Sequence, residues 1–447
     1  MGGPLYQSAL ELFRIGPGPS SSRTVGPQRA ALRFVHELAA DGVVGRAARV
    51  DVHLFGTLAC TGRESGTDGA VVAGLAGDAT ERSDGASLAI RLHRVANDGL
   101  ALGGRLAIAF DPRRNLRFHV GQALAYDGNA LRFDAFDPAG EPLASRLYFT
   151  DAGGDVLDEV EAQSGRTGPR VPYPFASGDA LLAACRTHGK RIGELARANE
   201  CSSISPDELR GGLMHVALAM RASIERGLTT RGRLPVTDSE RRAADQAEAL
   251  AARGASPGEL CAVYAIAVAE ENAAGGCVVA APTHGSAGPV AALLEHWRRS
   301  AALPGDERMV EFLVTAAAVG HTIRAAGLRQ AGCQSAVGLG AAMAAAGYAA
   351  VNAASAAQVL HAAERALEAH WGLACDAVAG LVQTPCIARN AAGAACALEA
   401  AEHALRNPSP RVGLDALVRS MVETARGMAG RYKADSLAGV ARNVADC

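Results

Sequence analysis

Aromatic residues are scarce in this chain: 10 Phe, 7 Tyr and 2 Trp make up 4% of 447 residues. With 49% hydrophobic residues the interior must be filled by Ala, Val and Leu. Small side chains let helices approach closely, which favours helix-on-helix packing over a sandwich. A charge excess is also missing, since 44 basic and 46 acidic residues leave a formal net charge of −2. No basic surplus is available to neutralise phosphates, so nucleic acid and anionic membrane are excluded as expected partners. The opening MGGPLYQSALELFRIG has neither the basic nor the apolar segment of a secretory signal, and a cytoplasmic protein is expected. Charge is absent altogether between Gly332 and Ala363. That stretch is rich in Ala and Gly, holds Gln334, Asn352 and Gln358, and is poor in the Leu, Ile and Phe that drive insertion. It reads as one or two helices in a protein core, not as a membrane span. Fixed-period repeats and low-complexity tails are missing too.

The length calls for two or three domains. Residues 1–155 mix strand and helix signals. Ser22 is placed to cap a helix through AALRFVHELAA that stops at Asp41-Gly42, and a strand is expected over Ala48–Leu58. The run DGAVVAGLAG reads as a second helix, whereas LAIRLHRV, GRLAIAF, LRFHV, ALRFDAFD and RLYFT read as strands. This predicts an α+β domain with helices on one face of an antiparallel or mixed sheet. Residues 156–180 read as a Gly- and Pro-rich crossing. Over 181–447 apolar residues recur at three- and four-residue spacing, which predicts an all-α domain with no interrupting strand.

Ten cysteines in such a chain do not suggest a disulfide framework. Cys333 in QAGCQSAVG, Cys375 in GLACDAVAG and Cys386 in LVQTPCIARN each fall in a Gly- or Pro-punctuated break between helical runs. Loops of that kind can bring sulfurs from distant helices onto a metal and offer backbone N–H groups to them. The spacing matches no general ligand pattern, so from the residues alone ordinary buried thiols are the favoured reading over ligands. Cys60, Cys185, Cys201, Cys261, Cys277 and Cys396 read as structural.

Two further groups of residues could carry chemistry. Ser20, Ser21, Ser22, Arg23 and Thr24 stand at a helix start, where hydroxyls and unpaired N–H groups suit a carboxylate, although a plain cap is the simpler reading. Gly66, Thr67 and Asp68 repeat the arrangement at the next helix. Glu270 and Glu271 close an apolar helix and read as its solvated end, ahead of Asn272 and a Gly-rich turn. Pro282-Thr283-His284-Gly285 follows, a run suited to close backbone approach. His321 reads as a satisfied core histidine.

The strings SALELFRIGPGPSSSRTVGP, ESGTDGAVVAGLAG, AVAEENAAGGCVVAAPTHGSAGP, AGCQSAVG, GLACDAVAGLVQTPCIARNAAGA and YKADSLAGVARNVADC resemble the single-chain bacterial iron–sulfur L-serine dehydratases over nearly the whole length. The resemblance implies a lyase acting on a small amino acid, a [4Fe–4S] cluster held by Cys333, Cys375 and Cys386, and a homodimer. It implies that Cys447 covers the open iron until substrate displaces it. It implies substrate contacts from Ser20, Ser21, Ser22, Arg23, Thr24, Gly66, Thr67, Asp68, Asn272 and Thr283. His284 is the expected catalytic base.

The chain departs from the family inside this set. Arg23 and Ser65 stand where the family has histidines, His284 where it has asparagine, and Ser335-Ala336 where a glutamate is usual. Ala377-Val378-Ala379-Gly380 replaces Pro-Val-Gly-Gly after Asp376. Arg23 cannot serve as a base at neutral pH but can clamp a carboxylate. Elimination from another amino acid therefore stays open, as does a non-catalytic cluster or zinc protein.

Overall fold

The computed structural model describes residues 6–124, 129–164, 170–302, 305–328, 332–407, 412–432 and 440–443. The chain divides into two compact units. One is built on residues 15–166 with 274–277, and the other on residues 1–14, 167–273 and 278–447. The first fourteen residues thus belong with the C-terminal helices. Ser8 caps a short helix Ala9–Leu12, and Glu200 accepts hydrogen bonds there from Ser8 Oγ at 2.6 Å and Ala9 N at 2.8 Å.

The first unit is the α+β domain foreseen from its pattern. Strands β1 (Arg49–Phe55), β2 (Leu116–Phe118), β3 (Ala130–Phe136), β4 (Pro142–Thr150) and β5 (Val156–Asp158) form a sheet in the order β2-β1-β3-β4-β5. The sheet is mixed: β1 runs parallel to β2 and antiparallel to β3. Val50, Val52 and Leu54 alternate towards the core, opposite Ala135, Phe133 and Leu131, as a two-residue period requires. Helix α1 (Val25–Ala40) lays Phe34 on Phe133 with ring centroids 5.1 Å apart. Its chain leaves through Gly42 at φ +71°, the left-handed exit common after helices.

Two local expectations fail in this unit. Helix α1 begins after Thr24, not Ser22, and Thr24 makes no side-chain cap. Its hydroxyl donates instead to the carbonyls of Pro17 at 2.6 Å and Ser20 at 2.8 Å. LAIRLHRV is not a strand. After helix α2 (Thr67–Leu75) it lies inside helix α3 (Gly85–Asp98), started by a reciprocal Asp84–Ser87 capping box. Leu88, Leu92 and Val95 share the buried side at helical spacing, while Ile90 is 54% exposed. Residues 156–164 are also ordered as β5 and a helix Glu159–Ser164 within the sheet unit.

The second unit is a packed set of helices. Around helix α9 (Val337–Val351) stand α7 (Ala287–Ser300), α8 (Asp306–Ala325), α10 (Ala356–Glu368) and α11 (Cys386–Arg406). Helix α9 is apolar all round, as a helix enclosed by others must be. The uncharged stretch Gly332–Val351 is 83% buried within the structure. Small residues set helix distances, as the composition demands. A Cβ on Gly227, in α4 (Pro206–Thr229), would stand 2.3 Å from the carbonyl oxygen of Ala267, in α6 (Pro257–Ala273). Between those two runs α5 (Ala243–Arg253). A three-residue strand, Cys277–Val279, interrupts the helices where none is expected.

Candidate functional site

In the helical unit the three singled-out cysteines reach one place from three chain segments. Cys333 precedes α9 by one turn, and its carbonyl accepts from Ala336 N and Gly338 N. Cys375 lies in the irregular stretch after α10, its N–H bonded to the carbonyl of Tyr432 at 2.7 Å. Cys386 is the first residue of α11 rather than a loop residue. The first two segments touch through backbone at Gly332, whose φ is +67°. A Cβ there would lie 2.8 Å from the carbonyl oxygen of Leu373 and 3.0 Å from Cys375 N. Glycine at 332 therefore lets the two cysteine segments approach.

Electrostatics links the sulfurs. The Cys386 thiol is pushed well above its ordinary pKa by burial first, then by Cys333 and Cys375. A helix N-terminus lowers thiol pKa values, so at Cys386 burial and neighbouring thiols outweigh it. Burial raises Cys333 as well, against the opposing charge and hydrogen bond of Arg389. Arg389 donates to Cys333 Sγ at 3.1 Å and to the Ala374 carbonyl at 2.8 Å, and pairs with Asp376 at 2.7 Å. Asn390 joins the next segment: it donates to the carbonyls of Gly285 at 2.8 Å and Cys386 at 2.9 Å, and accepts from Gly288 N at 3.0 Å.

That bridge puts the Thr283–Ser286 turn beside the start of α11. Thr283 and Ser286 cap each other, and Ser286 Oγ donates to the Ala281 carbonyl at 3.0 Å. His284 is 1% exposed and lies beside the backbone of Val278. Burial pulls its pKa down to about 4, leaving a neutral imidazole at neutral pH. Asn272 is buried at the end of α6. The acids before it are not solvated. Glu270 accepts from Arg242 N at 2.8 Å and Ala243 N at 3.2 Å, and so caps α5. Glu271 pairs with Arg241 at 2.7 Å and Arg226 at 3.0 Å. A buried acid needs such partners, and these two have structural work. His321 is a satisfied core histidine, Nε2 standing 3.1 Å from the Phe175 carbonyl oxygen.

The donor set suits an iron–sulfur cluster. A buried thiol at Cys386 that feels both Cys333 and Cys375, with a guanidinium N–H on the Cys333 sulfur, offers soft ligands and hydrogen-bonded support. Among the described residues no three His, Cys, Asp or Glu side chains are gathered closely enough for a single ion. A cube does not need that closeness, because each cysteine binds its own iron. Of the remaining thiols, Cys185 and Cys261 are buried and Cys60 is exposed, so Cys60 does not fit a core role. Cys447 lies outside the described residues. The described part of the C-terminal segment does meet the site: Val440 N donates to Asp376 at 3.2 Å.

In the sheet unit the two hydroxyl-bearing turns are brought together. Thr67 Oγ1 donates to the Arg23 carbonyl at 2.6 Å, tying the Ser20–Thr24 turn to the start of α2. Ser20 and Ser22 share a 3.3 Å bond, and Ser21 is buried. Gly66 precedes α2 at φ +77°, and burial raises the pKa of Asp68. Ser65, buried, donates to the Thr61 carbonyl at 3.0 Å.

The family profile of the serine dehydratase alpha chain matches residues 187–441, and that of the beta chain residues 8–161. This chain belongs to the serine dehydratase family. Like other members it is a lyase, with both family regions in one polypeptide. It is 38% identical to an L-serine dehydratase of Streptomyces coelicolor, over 98% of this chain and 99% of the relative. It is 36% identical to L-serine dehydratase 2 of Escherichia coli and 35% identical to an L-serine dehydratase of Helicobacter pylori, each over 98% of this chain and 99% of the relative. Arg389 and Asn390 stand beside the cysteines without having been marked by the sequence, whereas Asp376 is marked there only as a residue kept from the family pattern. Their signal was present, because Arg389 and Asn390 fall one helical turn beyond Cys386.

Proposed function

We propose that this chain is a cytoplasmic, homodimeric [4Fe–4S] L-serine dehydratase that converts L-serine to pyruvate and ammonia. The observation that carries the proposal is the convergence of Cys333, Cys375 and Cys386 around Arg389. When bound, the cluster supplies an iron with an open position, a Lewis acid towards the substrate β-hydroxyl. Cys333, Cys375 and Cys386 hold it. Cys447 would supply a thiol to cover the open position until substrate binds. The 2.7 Å bond from Cys375 N to the Tyr432 carbonyl supports this role, as does the bond between Val440 and Asp376.

Ser20, Ser21, Ser22 and Arg23 receive the substrate carboxylate through hydroxyl and guanidinium donors, Thr24, Gly66 and Thr67 shape the turn that presents them, and Asp68 accepts from the substrate amino group. Asn272 and Thr283 orient the amino group. His284 takes the α-proton from Cα. Its imidazole is neutral at neutral pH and lies beside the Val278 backbone.

The test is anaerobic purification, cluster reconstitution and measurement of pyruvate from L-serine. Pyruvate release that is lost in Cys375→Ala is the expected result. A brown protein that ignores L-serine but consumes a larger acidic amino acid would overturn the substrate and point to Arg23. A zinc-loaded protein without sulfide would overturn the cluster. Light scattering should give twice the 45.7 kDa chain mass.

A further inference from the structure

One side chain touches every segment that carries a cluster cysteine. Arg389 sits on α11 one turn after Cys386 and is half-buried. Its guanidinium reaches Cys333 Sγ at 3.1 Å in the segment before α9. It reaches the Ala374 carbonyl at 2.8 Å, the residue next to Cys375, and the Asp376 carboxylate at 2.7 Å on the other side of that cysteine. Asp376 is itself buried and holds Val440 N at 3.2 Å. The Cys333 and Cys375 segments also meet at the backbone of Gly332 and through the 3.0 Å bond from Gly372 N to Gln334 Oε1, but neither contact includes Cys386 or its helix.

We infer that Arg389 is the positioning residue for the cluster. It draws the three cysteine segments together before iron arrives, and it donates a hydrogen bond to the Cys333 sulfur once the cluster is bound. The physical case has two parts. Asp376 is a buried carboxylate beside the cysteine sulfurs, and Arg389 contacts both a sulfur and that carboxylate. All three contacts are made from one terminal nitrogen, Nη1, so the guanidinium gathers a sulfur, a carbonyl and a carboxylate at a single point, and its charge is permanent. Support of this kind around metal ligands typically changes metal affinity about 10- to 100-fold. The inference rests on the cluster reading of the three cysteines.

The test uses the full chain with Arg389→Gln and Arg389→Lys, reconstituted without oxygen beside the wild type. Iron and acid-labile sulfide per chain are measured, then cluster loss is timed against a chelator. Arg389→Gln should lose its cluster at least about tenfold faster than the wild type, with Arg389→Lys in between. Resonance Raman spectra in H2O and D2O supply a readout that general destabilisation does not move. The wild type should show a deuterium shift in an Fe–S(Cys) stretch, and Arg389→Gln should lack it. Circular dichroism melts identify a variant that has merely failed to fold, and Asp376→Asn then serves as a milder probe, with faster loss again expected. Wild-type protein that takes up no iron and sulfide would sink the cluster reading itself. Wild type that assembles a cluster, with Arg389→Gln equal to it in chelator resistance and deuterium shift, would overturn the role of Arg389 alone.

Discussion

The two polar regions that the sequence marks as chemical spend their polar groups differently. In the helical unit, Cys386 feels both Cys333 and Cys375, and the Arg389 side chain ties its own helix to the segments of the other two. In the sheet unit, the hydroxyls of Thr24 and Thr67 are committed to the carbonyls of Pro17, Ser20 and Arg23, so they shape the turn. A cluster of hydroxyls in sequence is thus compatible with a largely structural use, because serine and threonine readily bond nearby backbone. Thiols gathered from residues 333, 375 and 386 have no such local explanation. The difference teaches that spacing across the chain, more than local richness, separates a site from a cap.

The sharpest break would come from the cysteines. Cys386→Ser should abolish cluster binding and lower turnover by more than about 10³-fold, while circular dichroism stays that of a folded protein. Full cluster content in that variant would remove the distinction between the two regions. Next in size is the base. His284→Gln should lower kcat/KM by about 10²- to 10⁴-fold, and the wild-type pH profile should show its acidic limb near the pKa of about 4, not between 6 and 7.

His284 also predicts a pH-dependent stability. Its imidazole is buried with a pKa of about 4, against 6.5 in the unfolded chain. Below pH 6.5 the unfolded state binds a proton that the folded state refuses, so stability falls as the pH drops towards 4. The loss is on the order of 3 kcal/mol, complete once the folded imidazole titrates. Urea unfolding at pH 7.5 and pH 4.5 should reveal it, and His284→Gln should shrink the difference between the two. The smallest effects belong to the hydroxyl turns. Thr67→Val should cost about 1–3 kcal/mol of stability by leaving the Arg23 carbonyl without its donor. Ser20→Ala should leave stability within about 0.5 kcal/mol and raise KM for L-serine. Equal losses of stability from both would mean that neither serine nor threonine here faces a substrate.

Legibility varied with how local the cause was. The two fold classes were visible, because strand and helix periods are written in adjacent residues such as Val50, Val52 and Leu54. The segment Gly85–Asp98 was misread, because Leu88, Ile90 and Leu92 alternate like a strand; the Asp84–Ser87 box and the burial of Leu88, Leu92 and Val95 decide for the helix. Glu270 and Glu271 looked like a wet helix end, yet their partners, Arg242, Ala243, Arg226 and Arg241, lie 27 to 45 residues away. The cysteines were found by resemblance, since their intervals match no general ligand pattern.

By itself the sequence determined the classes of the two units and the buried nature of the uncharged stretch at Gly332–Val351. It also determined the family, through motifs spread along the chain. Tertiary structure alone decided which polar side chains meet. The guanidinium of Arg389 spans residues 333, 374 and 376 because helix packing brings those segments within 3.1 Å of it. It also decided the charge state of His284, since burial sets that pKa and burial belongs to the packed chain.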